Sequence, residues 1–153
     1  MENNQKCHPN KCKPPSWSTS SEDIDFGNPY PLWQDKDNEI HHLLWKHMGI
    51  CFELCLAAGN LADNDESKHF AGIARGLLDR ALQSDQFWWA SKRPMWDINL
   101  IHMGLHDQHR ALVNAYRAIS TSGADGKVKS DLYNKLLSSR DLRGKIIDLL
   151  FLP

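Results

Sequence analysis

Two strongly periodic segments of this chain are separated by the stretch Ser84-Asp85-Gln86-Phe87-Trp88-Trp89-Ala90-Ser91-Lys92-Arg93-Pro94-Met95-Trp96-Asp97. The stretch holds three of the six tryptophans, which makes it too aromatic for an ordinary surface linker. Proline has no backbone N–H to donate, so Pro94 prevents one continuous helix across it. We therefore expect two long helices that end and begin here, with Asp97 as the N-cap of the second.

Outside this stretch, the apolar residues recur at the spacing of amphipathic helices. No segment alternates apolar and polar residues with a period of two, so no strand is expected. Because short loops favour antiparallel neighbours, the sequence predicts an all-α fold, an antiparallel helical bundle of four to five helices. Asp37 or Asn38 is expected to cap the first helix, and Gly59-Asn60 to end it. The predicted helices are at residues 37–58, 65–82, 97–121, 128–137 and 141–150.

Residues 1–36 differ from the rest of the chain in composition. Most of the prolines lie there, a Ser/Thr-rich run covers residues 16–21, and apolar periodicity is weak. Such a segment is expected to be extended or partly disordered. The aromatic residues within 26–33 are expected to hold it against the helices. We therefore divide the chain into an N-terminal arm, residues 1–36, and a helical bundle domain, residues 37–153.

Charge and hydropathy exclude several classes of protein. The 18 basic and 19 acidic residues give a net charge of −1, and the basic residues are scattered, so no nucleic-acid-binding surface is expected. No apolar stretch is long enough to span a bilayer, and the first residues lack the apolar region of a signal peptide. We therefore expect a cytoplasmic protein without membrane association, whose four cysteines are thiols rather than disulfides.

The aromatic stretch is the first candidate for a binding site. Paired tryptophans present flat apolar faces on which sugar rings pack, and neighbouring polar side chains can bind the sugar hydroxyls. The alternative is that these aromatics fill the space between helices, as most aromatic residues do. Trp and Arg also dominate protein interfaces, so a protein partner, including a second copy of this chain, is the other expected ligand. The candidate ligand-binding residues are Asp85, Gln86, Trp88, Trp89, Arg93 and Trp96.

Residues 70–120 resemble the helical C-terminal region of family 57 glycoside hydrolases. The resemblance rests on Leu77-Leu78, Ala81 and the run Ser84-Asp85-Gln86-Phe87-Trp88-Trp89, followed by a helix with Ala115-Tyr116-Arg117 near its end. Gln86 and the continuation Ala90-Ser91-Lys92 depart from the family pattern. A chain of 153 residues also leaves no room for the catalytic barrel with its two carboxylates. The resemblance therefore implies a detached helical domain that binds α-glucan or docks onto a larger carbohydrate-active enzyme, without glycosidase activity.

Histidines and cysteines form a second candidate site. Three histidines of the helix at 97–121 lie at i, i+4 and i+7, so they share one face. A histidine and two cysteines share a face of the first helix in the same way. If these faces meet, imidazole and thiolate groups can bind zinc or another divalent metal. The alternative is ordinary packing of the thiols beside partly exposed histidines. The candidate metal ligands are His47, Cys51, Cys55, His102, His106 and His109.

No catalytic motif accompanies these sites. The sequence has no Gly-rich phosphate loop and no Gly-x-Ser-x-Gly elbow, and no local motif orients a Cys–His nucleophile pair. Cys7-His8 and Cys12 in the arm supply at most half of a metal-binding knuckle. We therefore expect a non-enzymatic binding protein without a cofactor, and the alternative is a His/Cys metal-binding bundle.

Overall fold

The structure, a computed structural model, describes residues 19–83, 85–91 and 96–151. Within these residues there are helices but no strands, which confirms the predicted all-α bundle. The helices are α1 Ser21–Asp25, α2 Glu39–Leu61, α3 Asp65–Ala81, α4 Asp85–Trp89, α5 Ile98–Thr121 and α6 Gly126–Phe151. No helix in this part of the chain is both long and apolar enough to cross a membrane.

The starts of α2 and α5 lie where the sequence predicts them. The side chain of Asn38 accepts hydrogen bonds from the backbone N–H groups of Ile40 and His41. The side chain of Asp97 accepts one from the N–H group of Leu100. Both caps satisfy N–H groups that have no partner inside their own helix, which fixes where each helix begins.

The prediction is wrong at the end of α2 and in the last helical region. α2 continues past Gly59 to Leu61, because Leu61 packs against the core and its burial favours another turn of helix. Residues 126–151 form one helix, α6, instead of two. The polar residues in its middle do not break it. Ser139 is buried and its hydroxyl donates a hydrogen bond, 2.7 Å long, to the carbonyl oxygen of Leu136 in the same helix.

α5 lies at the centre of the bundle and contacts α2, α3, α4 and α6. Its inner face contributes to two apolar clusters, and burial of their side chains holds the helices together. The larger apolar cluster comprises Met48, Cys51, Leu54, Cys55, Ala58, Ala74, Leu77, Leu78, Ala81, Ala111, Leu112, Ala115, Ala118, Ile119 and Leu136. The smaller apolar cluster comprises Ile40, Leu44, Phe87, Ala90, Ile101, Leu105, Ile146 and Leu150.

The segment before α2 lies against the bundle and is partly helical. A capping box at Ser20 begins α1, a short helix where the sequence indicates an extended chain. Leu32 is buried, and Trp33 packs against the smaller apolar cluster. The indole Nε1 of Trp45 in α2 donates a hydrogen bond to the carbonyl oxygen of Trp33 at 2.8 Å. Residues 1–18 of the predicted arm, with Cys7, lie outside the described residues.

Candidate functional site

α4 places the aromatic stretch between α3 and α5, with its side chains in different environments. Phe87 is buried in the smaller apolar cluster, and its ring stacks on Trp45 with centroids 4.3 Å apart and planes 14° apart. Trp88 and Trp89 are half-buried, and Trp96 is 39% exposed. The stretch therefore fills space between helices and also leaves tryptophan surface accessible to a ligand.

The remaining predicted ligand-binding residues also differ in their environments. Asp85 is exposed at the start of α4. Gln86 is buried, and its Nε2 atom donates a hydrogen bond to the carbonyl oxygen of Ala81 at 2.9 Å. Arg93 lies outside the described residues. Gln86 therefore contributes to the interior of the bundle, and Trp89 borders a cavity.

A pocket of about 120 Å³, here called the Trp89 pocket, lies where the end of α3 approaches α4 and α5. Trp89 supplies an aromatic wall, and the charged and amide groups of Arg80, Gln83 and Asp107 lie around it. The pocket thus combines a flat apolar surface with hydrogen-bond donors and acceptors. Its lining residues are Arg80, Ala81, Gln83, Gln86, Trp89, Met103, Gly104 and Asp107.

Behind this pocket, hydrogen-bonded side chains cross the bundle from α4 through α5 to α2. The Nε2 atom of Gln108 donates to Oε1 of Gln86, and Oε1 of Gln108 is bonded to Nδ1 of His47. We call Gln86, Gln108 and His47 the polar layer. All three side chains are buried, and along α2 and α5 they lie between the two apolar clusters.

The backbone acceptor at one end of the polar layer fixes the direction of every hydrogen bond in it. A carbonyl oxygen can only accept, so Gln86 must turn its NH₂ group to Ala81 and its oxygen to Gln108. Gln108 then presents its own oxygen to His47. Nδ1 of His47 must therefore carry the proton. Nε2 of the neutral ring is then unprotonated, and its lone pair can accept a hydrogen bond.

Two fully buried histidines of α2 differ in how their ring nitrogens are used. His41 donates from Nε2 to the carbonyl oxygen of Phe87 at 2.8 Å, and its Nδ1 accepts the N–H of Asp35 at 3.1 Å. Nε2 of His47 has no hydrogen-bond partner among the described residues. Burial lowers the pKa of both histidines, so both rings are neutral near pH 7. His41 is fully used by the fold, whereas His47 has an acceptor left over.

A second cavity, of about 340 Å³ and open to solvent, lies between α5 and α6. We call it the α5–α6 cleft. Met103 and Asp107 line both this cleft and the Trp89 pocket, so the two sites are neighbours on the surface of α5. The residues that line the cleft are His102, Met103, His106, Asp107 and Arg143.

Two more buried polar atoms, Nδ1 of His109 and Nε of Arg143, lack hydrogen-bond partners among the described residues. Burial and the positive charges of Arg143 and Arg140 lower the pKa of His109. Burial, and beyond it the charges of His109 and Arg143, lower the pKa of His47. These side chains from α2, α5 and α6 are therefore close enough to act on one another, in a region of positive potential.

The predicted metal ligands are only partly brought together. His102 and His106 line the α5–α6 cleft, and the electrostatic influence of His109 reaches His47. The thiol of Cys51 is 3.5 Å from the carbonyl oxygen of Gln108, and its hydrogen bond to Cys55 and its burial raise its pKa. A protonated thiol is a poor metal ligand. In residues 19–83, 85–91 and 96–151, no three His, Cys, Asp or Glu side chains form a group that could hold a metal ion.

Sequence reasoning missed Gln108 and Arg143. Gln108 does leave a signal, because it stands between Leu105 and Leu112 at a position of α5 that is otherwise apolar. A polar residue in such a stripe predicts a partner in the interior. Arg143 leaves no such signal, since its position depends on α6 being one continuous helix and on how that helix packs.

No protein-family model, curated protein or solved structure matches this chain significantly. The resemblance of residues 70–120 to the helical region of family 57 glycoside hydrolases therefore stays a prediction.

Proposed function

We propose that this protein is a non-catalytic binding protein that holds a carbohydrate unit in the Trp89 pocket. The observation that carries the proposal is the half-buried Trp89 beside Arg80, Gln83 and Asp107. One face of a sugar ring consists of C–H groups that pack on an indole, and its hydroxyls both donate and accept hydrogen bonds. The carboxylate of Asp107 accepts, the guanidinium of Arg80 donates, and the amide of Gln83 does both.

The size of the pocket favours one unit of a longer ligand. A volume of about 120 Å³ is below the roughly 300–1,000 Å³ of pockets that enclose whole small molecules. A single sugar at the end of an oligosaccharide would fit such a site, with the rest of the chain on the surface. The resemblance to family 57 glycoside hydrolases favours α-glucan as that oligosaccharide.

A larger carbohydrate-active enzyme is the second candidate partner, and a different surface favours it. Trp45, Phe52 and Leu56 lie along one face of α2 and are each between 44% and 54% exposed. Residues seven and eleven apart lie on the same side of a helix, so these side chains form one apolar strip. Exposed apolar strips of this kind are typical of protein interaction surfaces.

A tryptophan fluorescence titration with malto-oligosaccharides tests the carbohydrate proposal. We expect a saturable change in the wild type that is lost in Trp89→Ala. Trp96→Ala is the matched control, because it removes an exposed indole that does not line the pocket. A response that persists in Trp89→Ala and disappears in Trp96→Ala would move the ligand to the outer surface of the stretch.

The same titration with EDTA tests the metal-binding alternative. A sugar bound by Trp89 and hydrogen bonds should ignore the chelator. A signal that depends on zinc and disappears with EDTA would replace the carbohydrate proposal by the metal-binding one. If the sugar produces no change at all, the remaining candidate is a protein partner that binds the apolar strip of α2. Phe52→Ser should then weaken the binding of that partner.

A further inference from the structure

The α5–α6 cleft differs from the Trp89 pocket in its chemistry, because its lining is rich in basic groups. Arg143 of α6 lines it together with His102 and His106 of α5. Within the described part of the chain, Arg143 makes no ion pair, and its Nε atom is buried without a hydrogen bond. Charged groups that are partly withdrawn from water are ordinarily paired, so this arginine has unused binding capacity.

The unpartnered Nε atom of Arg143 is suited to a ligand that accepts hydrogen bonds. Nε of Arg143 always carries a hydrogen, so only an acceptor can satisfy it. An oxygen atom of a ligand in the cleft would supply that acceptor. A guanidinium also presents a planar fork of N–H groups that matches two oxygens of one oxyanion.

The charges around the cleft favour an anion over a metal cation. Burial is the main cause of the lowered pKa of His109, and the charges of Arg143, Arg140 and His106 lower it further. A metal ion near these positive charges would be disfavoured in the same way. Asp107 is the one carboxylate in the lining of the cleft, and it lies 3.7 Å from the guanidinium of Arg110, with both groups exposed. Its charge is therefore partly balanced at the rim and leaves the side of Arg143 positive.

From these observations we infer that the α5–α6 cleft binds a small oxyanion of the phosphate or sulfate type. Arg143 would supply the paired N–H donors, and His102 and His106, which line the cleft, would supply further donors from α5. The site is independent of carbohydrate binding at Trp89. Because Met103 and Asp107 line both cavities, a sugar that carries a phosphate group can reach both sites.

Anion binding at this site should depend on pH in a defined direction. A bound negative charge stabilises the protonated ring of His109, so binding should tighten as the pH falls. The titratable and charged groups that act on His109 or lie beside it are His47 of α2, His106 of α5, and Arg140 and Arg143 of α6. Sulfate keeps its charge between about pH 5.5 and 7.5, so any change in its affinity over that range comes from the protein.

A titration of the full chain with sodium sulfate, at constant ionic strength and followed by NMR of the histidine rings, tests the inference. We expect saturable shifts of the signals of His102 and His106, which line the cleft, and a rise in Tm with sulfate concentration. Arg143→Met should weaken the affinity about 10- to 100-fold, as loss of a charge-assisted hydrogen bond does. Arg143→Lys keeps the charge without the fork and should weaken it less. Arg75→Met is the matched control, since Arg75 is exposed on α3 and paired with Asp79.

The sulfate titration can contradict the anion site in two ways. Shifts that do not saturate, or that are equal in the wild type and in Arg143→Met, would overturn the site, and so would displacement of sulfate by zinc at the same histidines. Inorganic phosphate and glucose 6-phosphate then separate two sources of the anion. Equal affinities assign the site to the free ion, whereas tighter binding of glucose 6-phosphate that requires Trp89 assigns it to a phosphorylated sugar. The Arg143→Met variant should keep its response to neutral malto-oligosaccharide, which separates this inference from the carbohydrate proposal.

Discussion

The larger apolar cluster and the polar layer are neighbours along α2 and α5, but they stabilise the bundle differently. In the cluster, each side chain contributes by the area that it removes from water, and its contacts have no required direction. In the polar layer, each side chain depends on the next one, because a lost hydrogen bond leaves its buried partner unsatisfied. Exchange of one apolar residue for another of similar volume is therefore tolerable in the cluster, whereas the layer requires particular residues.

The two regions also differ in their relation to the surface. The side chains of the cluster are buried, and their contribution is stability. The polar layer reaches the Trp89 pocket through Gln86, and at its other end His47 interacts electrostatically with Arg143 of the α5–α6 cleft. The comparison shows that the binding properties of this bundle depend on a few buried polar residues, while most of its stability comes from apolar residues elsewhere.

The largest effect is expected in the apolar cluster. Leu112 is fully buried, so Leu112→Ala should lower the free energy of unfolding by about 2–5 kcal/mol through lost burial and a residual cavity. Urea denaturation followed by circular dichroism measures the loss. Leu56→Ala is the control, since Leu56 is 54% exposed and its truncation should cost about 0.5 kcal/mol or less. Equal losses at the two positions would mean that the cluster is not the main source of stability.

The polar layer should respond to a single substitution and recover when the whole layer is replaced. Gln108→Leu leaves Nδ1–H of His47 and Oε1 of Gln86 without partners, which should cost roughly 1–3 kcal/mol for each group. Replacing all three layer residues by leucine removes both unsatisfied groups and leaves only the carbonyl oxygen of Ala81 without its donor, so it should restore most of that stability. Urea denaturation of both variants measures the difference. A triple variant less stable than Gln108→Leu would show that packing, and not hydrogen bonding, dominates the layer.

The boundary between the layer and the Trp89 pocket is expected to be sensitive to one methyl group. A Cβ on Gly104 would lie 2.7 Å from Oε1 and 3.1 Å from Cβ of Gln86, so Gly104→Ala should displace Gln86 from its hydrogen bonds. We expect a loss of about 1–3 kcal/mol in thermal or urea unfolding. Gly72→Ala on α3 has open space around the new methyl group and should stabilise the protein by up to about 1 kcal/mol. If both substitutions stabilise the protein, Gln86 can move away from the new methyl group without losing its hydrogen bonds, and the prediction is wrong.

The smallest effect concerns the protonation of the layer. Burial lowers the pKa of His47 in the folded state. As the pH falls below the ordinary value of about 6.5, His47 is therefore protonated in the unfolded chain but still neutral in the folded one. Stability from this group is complete above about pH 6.5 and decreases as the pH falls, by at most about 1.4 kcal/mol for each pH unit. Urea denaturation between pH 7.5 and 5.5 should show this decrease, and it should be shallower in His47→Gln. An identical slope in the two proteins would remove His47 from the acid response.

What the sequence by itself determined is local or periodic. Asn38 and Asp97 mark their helix starts because a cap acts on N–H groups two or three residues away. The apolar stripes of α2, α3 and α5 predict the buried faces because helical spacing places them on one side. The sequence does not determine the length of α6, because the burial of Ser139 depends on its neighbours from other helices.

Only the tertiary structure decided which polar groups find partners. His47 and Gln108 are 61 positions apart in the chain, and Gln86 and Gln108 are 22 apart, so no local pattern predicts their hydrogen bonds. The same holds for the tryptophans, since the sequence cannot tell that Phe87 is buried while Trp89 borders a pocket. A hydrogen bond requires one atom within about 3 Å at a favourable angle, whereas burial requires only that a side chain face inwards. Sequence periodicity therefore predicts the core of this bundle, and packing alone positions its candidate sites.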